Sequence, residues 1–290
     1  IKPIAPESAA REASILLAHV LGGPTYQLTL QRDKASDAGV EARFRELIAR
    51  RLQRCPVQYL TGECEFYSLK FRVRSGVLIP RPETELVVQT AIEALTATGG
   101  KPGYIADVGT GSGCIAIALA ANLLQGSQEA SFHILAIDTS EAALGVAREN
   151  AKIHGVAGVV TFKKQDAFEL RAGLAIEAVR SMPKVFWKYR MVVSNPPYVT
   201  EEEFPRLQPE VRDWEPRQAL VGGPDGLDVI RHLIESAPYL LESNGHLIME
   251  IGAGQADVLR RLNWPSFGYQ DVAFLRDLSG IERVLRARLA

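Results

Sequence analysis

The spacing of apolar positions changes near residue 80. Before it, Ser8 to Leu21 places apolar residues at helical intervals with Ser8 as a candidate N-cap, and Glu41 to Leu52 forms a second, arginine-rich helical pattern that Pro56 ends. Glu65 to Val73 alternates apolar and polar residues like a strand, Ser75-Gly76 reads as a turn, and Val77 to Ile79 as a further short strand. After it, strands alternate with helices. Glu83 to Ala97 is an amphipathic helix and Gly99 to Gly103 a break. Four short runs then end in polar residues: Tyr104 to Asp107, His133 to Asp138, Val159 to Asp166 and Met191 to Asn195. Their ends lie 31, 28 and 29 residues apart, the span of a strand–helix–strand unit of about 30 residues. Leu227 to Leu241 reads as a helix and His246 to Ile251 as a fifth strand of the same kind. Ala273 to Leu278 and Ile281 to Leu289 flank Ser279-Gly280 too closely for a helical crossover, so they form an antiparallel pair. The pattern predicts an α/β fold: a mostly parallel sheet with helices on both faces and a terminal antiparallel hairpin. Ligands of such sheets bind at the carboxyl ends of the strands near the switch point, where Asp107, Asp138, Asp166 and Asn195 all fall.

Composition narrows what can bind there. Of 290 residues, 47% are apolar and 23% charged, ordinary globular usage that disfavours disorder, collagen or coiled coil. Lys plus Arg is 33 and Asp plus Glu 34, a net charge of -1 that argues against holding nucleic acid by bulk charge. Residues 1–80 carry 12 basic and 8 acidic residues. Arg43, Arg45, Arg50, Arg51 and Arg54 are the densest stretch, read as a solvated helix face or as a docking surface for an acidic macromolecule. Cys55, Cys64 and Cys114 are too few and scattered for a disulfide framework or a zinc cluster, and fit a reducing compartment. Ile115 to Leu124, interrupted by Asn122, falls short of the roughly 18 apolar residues of a membrane helix. The chain starts at Ile1, so an upstream targeting peptide stays open.

Asp107-Val-Gly109-Thr110-Gly111-Ser112-Gly113 follows a strand and opens a helix near Cys114. Glycines let the backbone turn sharply and approach a ligand, and the helix start supplies unpaired N–H groups. A P-loop would end in Gly-Lys-Ser/Thr, and a dinucleotide loop would place its third glycine three positions after the second; neither holds here. The order resembles the S-adenosylmethionine loop of class I methyltransferases. Asp138, ending the second strand, can accept both ribose hydroxyls of a nucleoside; its other reading is a cap for the helix near Ser140-Glu141. In the methyltransferase pattern Asp166 and the backbone of Ala167 face the adenine amino group, while Phe168 covers the ring or packs in the core.

Asn195-Pro196-Pro197-Tyr198 ends the fourth strand. Prolines lack the N–H a central strand needs, so the chain leaves the sheet there. Asn195 offers a side-chain oxygen, Pro196 a backbone oxygen and Tyr198 a flat face, together able to grip a planar NH2; the plainer reading is a rigid turn. The motif resembles that of amino-methyltransferases acting on planar nitrogen, among them adenine-N6 DNA methyltransferases and protein glutamine-N5 methyltransferases. Pro56-Val-Gln-Tyr-Leu-Thr-Gly62, Glu65-Phe66, Val77 to Glu85, Glu215-Pro216, Ala219 to Gly223, Asp225 to Asp228 and Glu250-Ile-Gly252 resemble the release-factor glutamine methyltransferase family. The resemblance covers nearly the whole chain. Tyr67-Ser68, where the family often has a glycine, and extended loops at 125–131 and 171–188 depart from it.

The resemblance implies a Rossmann-like class I methyltransferase domain with a seven-stranded sheet over 82–290, an N-terminal helical, release-factor-docking domain over 1–60, and a β-hairpin linker over 61–81. It implies S-adenosyl-L-methionine as cofactor, S-adenosyl-L-homocysteine as product, no metal, and the glutamine of the Gly-Gly-Gln loop of class 1 peptide release factors as substrate. Asp107, Gly109, Thr110, Gly111, Ser112, Gly113, Asp138, Asp166, Ala167, Phe168 and Asn195 would hold the cofactor. Asn195, Pro196 and Tyr198 would carry the chemistry, with Pro197 also against the substrate. Glu83 and Thr84 border the cofactor pocket in that family, and equally read as a helix start. Phe66 reads as lining the glutamine slot or as core. His19, His133, His154, His232 and His246 lie outside the motifs and read as structural. The expected enzyme is a monomer with no membrane or sequence-specific nucleic-acid contact, cytoplasmic, or mitochondrial if a leader has been removed. Two alternatives stand beside it: an adenine-N6 or guanine-N2 nucleic-acid methyltransferase, which would usually bring a basic recognition domain, and a non-catalytic module binding the ribosome or a release factor.

Overall fold

Helices lead the chain. The computed structural model describes residues 1–30, 37–97, 103–125, 132–172 and 188–290. α1 (Ala9–Leu21), the short α2 (Gln27–Leu30), α3 (Ala38–Leu52) and α4 (Val57–Thr61) precede a hairpin of β1 (Glu63–Phe66) and β2 (Leu69–Arg72). Then come α5 (Glu85–Ala97), β3 (Gly103–Val108), α6 (Cys114–Leu124), β4 (Phe132–Asp138), α7 (Glu141–Ile153), β5 (Val160–Lys164) and β6 (Tyr189–Ser194). The last third holds α8 (Pro209–Arg212), α9 (Asp228–Leu240), β7 (Leu241–Glu250), α10 (Gln255–Leu259), β8 (Tyr269–Arg276) and β9 (Glu282–Leu289).

The expected mostly parallel sheet forms from seven strands in the order β5-β4-β3-β6-β7-β9-β8. β5, β4, β3, β6 and β7 are parallel, and β9 runs antiparallel to both β7 and β8. Strand order reverses between β3 and β6, which opens a crevice at their carboxyl ends. Side chains alternate across the pleat and divide between two cores. Ile105, Ile134, Ala136, Met191 and Val193 face the layer of α5 and α6. Ala106, Val108, Leu135, Ile137 and Val192 face α9.

Several local expectations change. Ser8 does not cap α1 through its side chain; its hydroxyl donates to Glu12 Oε1 at 2.8 Å. Asp37 caps α3, accepting from the N–H groups of Gly39 and Val40, so that helix starts at Ala38. The alternation from Glu65 to Val73 is two strands, not one. Tyr67 and Ser68 turn the chain with φ of 50° and 59°, left-handed values usually supplied by Asn or Gly in a two-residue hairpin. Without those residues the alternation runs through the turn unbroken. The Tyr67 N–H instead donates to Glu85 Oε1 at 2.8 Å. Val77 to Ile79 joins no sheet. Its backbone pairs with side chains, the Val77 carbonyl accepting from Tyr59 OH at 2.6 Å and the Ile79 N–H donating to Glu215 Oε2 at 3.1 Å. Of the expected break at 99–103 only Gly103, the first residue of β3, is described, and nearly all of the two long loops lie outside the described residues.

The N-terminal helices build a small core of their own around Leu16, Cys55 and Leu60, with Trp214 packed against it. Phe66 and Phe71 of the hairpin belong to the sheet's core, edge to face at 6.0 Å, which settles Phe66 as core. The basic stretch divides. Arg45 lies on the surface with Glu41. Arg51 is 4% exposed, and its guanidinium reaches Glu12 at 2.7 Å and Glu210 of α8 at 2.9 Å. Arg54 adds a contact to Glu210 at 3.2 Å. This cluster fastens the helices to the stretch that follows β6. Burial opposes the Arg51 charge, but the bonds to Glu12 and Glu210 hold its pKa above the usual value. Removing one member of a buried ion cluster strands the others, so Arg51→Met is expected to lower unfolding stability by about 3 kcal/mol, read from urea denaturation midpoints.

Candidate active site

A cavity of about 350 Å³ opens at the carboxyl ends of β3, β4, β5 and β6, within the roughly 300–1,000 Å³ of ligand sites. Gly109, Thr110, Gly111, Ser112, Asp138, Asp166, Ala167, Phe168, Asn195, Pro196 and Pro197 all line it. The strand-end rule therefore brings together residues from four separate runs. Asp107 and Gly113 do not reach it. Asp107 is fully buried behind the loop. Its Oδ2 accepts from Thr110 Oγ1 at 2.6 Å and from the Ala116 N–H at 3.2 Å. Burial pushes its carboxyl up to about 7, against those two bonds. Asp107 thus shapes the loop from within. At Gly113 a Cβ would lie 2.8 Å from Ile117 Cδ1 and 3.1 Å from Ala147 Cβ; this glycine permits close packing of α6 on α7.

Gly109 and Gly111 have φ of 72° and 56°, left-handed values that glycine adopts without strain. A Cβ on Gly111 would meet nothing within 4 Å, and one on Gly109 would point at the Asn195 carbonyl 3.9 Å away. Open space thus lies beside Gly111, while Gly109 sits close to the Asn195 backbone. Asn150 of α7 braces it from below. Its Nδ2 donates to the Ser112 carbonyl at 2.9 Å, and its Oδ1 accepts from the Arg72 N–H at 2.7 Å. One buried amide thereby ties the hairpin to the glycine loop.

Asp138 Oδ2 accepts from the Gly111 N–H and Oδ1 from the Ser140 N–H, each at 2.8 Å. The side-chain cap of α7 is Ser140, which accepts from the Ala143 N–H at 3.2 Å. Burial raises the Asp138 pKa, opposed by these amides. Each of its oxygens keeps a lone pair for a hydroxyl donor. Asp166 Oδ1 accepts from the Phe168 N–H at 2.9 Å. Phe168 is 53% exposed and lies against His232 at 4.7 Å, so it is a wall of the cavity mouth rather than core.

Asn195 stands where the main cavity meets a smaller one lined by Leu78, Arg81, Pro196 and Tyr198. Its Nδ2 donates to Thr84 Oγ1 at 3.0 Å. Thr84 Oγ1 donates to Glu250 Oε2 at 2.5 Å, and Tyr198 OH donates to Glu250 Oε1 at 2.9 Å. Burial, then the neighbouring Glu250 carboxylate, hold the Tyr198 phenol on its protonated side. The loop after Asn195 is clamped. The Val199 N–H donates to the Leu220 carbonyl and the Gly222 N–H to the Val199 carbonyl, both at 2.9 Å. Gln255 Nε2 donates to the Tyr198 carbonyl at 3.1 Å.

Thr84, Glu250, Gln255 and Gly222 escaped the sequence reading as site residues. Glu250 carried a signal, since it ends β7 beside β6 and obeys the same strand-end rule. Thr84 carried one too, since the resemblance sets Glu83 and Thr84 at the border of the cofactor pocket, but the segment read equally as a helix start. Cys114 lines the cavity, and burial raises its thiol pKa. His133 pairs with Thr161, His154 with the Lys70 carbonyl and His232 with Ser236. Among the described residues no group of three or more His, Cys, Asp or Glu side chains could hold a metal ion, and no helix is long and apolar enough to cross a membrane.

A parallel sheet with an antiparallel final strand, a glycine loop at the switch point and an Asn-Pro-Pro-Tyr corner defines a class I methyltransferase. The fold is similar to the hMettl16 catalytic domain solved with a 3'UTR hairpin (TM-score 0.53, 15% identity, 83% of this chain and 81% of that one). The PrmC N-terminal domain profile matches residues 3–62 and a methyltransferase domain profile residues 103–186. The release factor glutamine methyltransferase of Chlorobaculum tepidum is 42% identical over 94% of this chain and 88% of its own length. That of Thermodesulfovibrio yellowstonii is 36% identical over 95% and 91%. The chain belongs to the release factor glutamine methyltransferase family.

The clamp on the Asn195 corner leaves no room for a side chain. At Gly222 a Cβ would lie 2.3 Å from the Pro197 carbonyl oxygen and 2.8 Å from that of Gly226. Both are backbone atoms, so Gly222→Ala must move the corner. We expect a loss of about 3 kcal/mol, at the upper end of overpacking costs, seen as a lowered thermal midpoint.

Proposed function

We propose that the chain transfers a methyl group from S-adenosyl-L-methionine to the side-chain amide nitrogen (N5) of the glutamine in the Gly-Gly-Gln loop of a class 1 peptide release factor. The observation that carries this reading is the Asn195 amide. Its NH2 is taken up by Thr84, so its oxygen is left for a substrate NH2 where two cavities meet. Family membership favours a protein glutamine over a nucleic-acid base as the planar nitrogen.

The cavity fits the cofactor by the chemistry of its walls. The open backbone of Gly109 to Ser112 would face the methionine portion, and Asp138 the ribose hydroxyls. Asp166 and the Ala167 backbone would meet the adenine amino group, with Phe168 against the ring. Asp107 and Gly113 support this cradle from behind. Gln165 Oε1, buried without a partner among the described residues, sits in the same wall and suits an NH2 donor. The bound cofactor supplies a sulfonium methyl open to in-line attack.

The chain's own residues then do the positioning. Asn195 Oδ1 and the Pro196 carbonyl accept the two N–H bonds of the glutamine amide, and the Tyr198 ring and Pro197 flank its plane. Positive charge grows on the nitrogen as it reacts, so both acceptors bind the transition state more tightly than the ground state. Holding the nitrogen in line removes barrier that solution would charge to orientation. The Tyr198 phenol, committed to Glu250, stays protonated. We read residues 1–60 as the helical release-factor-docking unit, 61–81 as the hairpin linker and 82–290 as the methyltransferase domain. The enzyme would act as a monomer in the cytoplasm.

Methyl label from the cofactor should appear in a purified class 1 release factor and vanish when its loop glutamine is replaced by alanine. Label in DNA or rRNA instead would overturn the reading. Asn195→Ala should slow turnover by about 100-fold or more, the scale for losing one transition-state hydrogen bond, with cofactor affinity nearly unchanged. Asp138→Ala should weaken S-adenosylhomocysteine binding by about tenfold or more, as expected for a hydrogen bond to a charged group; calorimetry giving the parental dissociation constant would refute the ribose contact.

A further inference from the structure

Asn195 can do its work in only one of two orientations. An asparagine amide turned by half a revolution keeps its shape but exchanges an acceptor for two donors. Flipped, Asn195 would present NH2 to the substrate's NH2. Nothing in its own side chain decides between the two.

The decision lies one and two residues away. Thr84 is 1% exposed and Glu250 fully buried. Glu250 accepts from Thr84 Oγ1 through Oε2 at 2.5 Å and from Tyr198 OH through Oε1 at 2.9 Å. Burial raises the Glu250 pKa, opposed by the bonds from Thr84 and Tyr198; a hydroxyl has one proton, and the carboxylate that accepts both bonds has none. Thr84 therefore spends its one proton in the bond it donates to Glu250, and meets Asn195 at 3.0 Å with lone pairs alone. An amide oxygen turned toward those lone pairs would face acceptor with acceptor. The NH2 must point at Thr84, which leaves Oδ1 for the substrate.

We propose that Thr84 and Glu250 are positioning residues that fix the sense of the Asn195 amide, so that its oxygen meets the glutamine nitrogen. The inference rests on the role given to Asn195 above. Thr84 stands just before α5 and Glu250 ends β7, so the orientation of the side chain that follows β6 is set by two other parts of the fold.

Thr84→Val keeps the shape and removes the hydroxyl, while Thr84→Ser keeps the hydroxyl. In methyl transfer to a class 1 release factor, Thr84→Val should lower kcat by about 10- to 100-fold, the cost of a misplaced contact. KM and the S-adenosylhomocysteine dissociation constant should change less than about threefold, and Thr84→Ser should stay within about threefold of the parent, since both the cofactor and the substrate contacts are left in place. If Thr84 acts through Asn195, adding Thr84→Val to Asn195→Ala should change the single-turnover rate less than about twofold, because the shared effect is already lost. Parental kcat for Thr84→Val, no rescue by serine, or a further tenfold loss on the Asn195→Ala background (each set against that cycle) would overturn the proposal. So would a Thr84→Val protein that no longer binds S-adenosylhomocysteine, which would assign the hydroxyl to the cofactor pocket. A fast Asn195→Ala enzyme would remove the reading of Asn195 itself. A slow Asn195→Ala enzyme beside a fast Thr84→Val one would remove the present inference alone.

Discussion

Two consecutive prolines cannot extend a sheet, and the site is built on that refusal. Pro196 and Pro197 have no N–H to give a neighbouring strand, so β6 must stop at Ser194 and the chain must turn out at the crevice. A corner forced out of a sheet loses the ladder that would have held it. The structure replaces the ladder with three other devices. A short backbone pairing joins Val199 to Leu220 and Gly222. Gln255 reaches in from α10 to the Tyr198 carbonyl. A buried carboxylate, Glu250, collects the hydroxyls of Thr84 and Tyr198. The motif after β6 is rigid because elements far along the chain hold it.

The glycine loop across the crevice uses the opposite strategy. Its backbone is kept bare toward the cavity and is held from behind. Asp107 grips Thr110 and the start of α6 from inside the core, Asp138 holds the Gly111 N–H, and Asn150 ties Ser112 to the hairpin. Burying Asp107 costs solvation, which is why its proton is held to unusually high pH. The two walls differ in kind. One offers acceptors on a fixed frame, while the other offers space and backbone beside a carboxylate.

The N-terminal helices are joined to this site through the stretch after the proline corner. Glu210 receives Arg51 and Arg54, and Trp214 packs on the helical core. Glu215, itself buried, takes the Ile79 N–H and pairs with Arg81. Pro216 and Gln218 then line the cavity. A run of about ten residues thus touches the helices, the linker and the cavity in turn. What the arginine-rich pattern of α3 left open between surface and docking is decided at Arg51 by carboxylates on α1 and α8.

Much of this was legible along the chain. The thirty-residue rhythm of polar strand ends located the crevice, because in a parallel sheet every crossover returns the chain to the same edge. The prolines after Asn195 marked where a strand must end, and the glycines where backbone meets open space. These are local or periodic consequences of covalent structure, so sequence alone determined them. The turn at Tyr67-Ser68 was hidden because its left-handed residues are neither glycine nor asparagine. The positions of Asp107 and Gly113 behind the wall depend on which way a side chain faces once helices pack. The sense of the Asn195 amide is farther still from sequence. It depends on a hydrogen bond donated by Thr84 to Glu250, residues 166 positions apart, and such a partnership exists only after the sheet has folded and water has been excluded from between them.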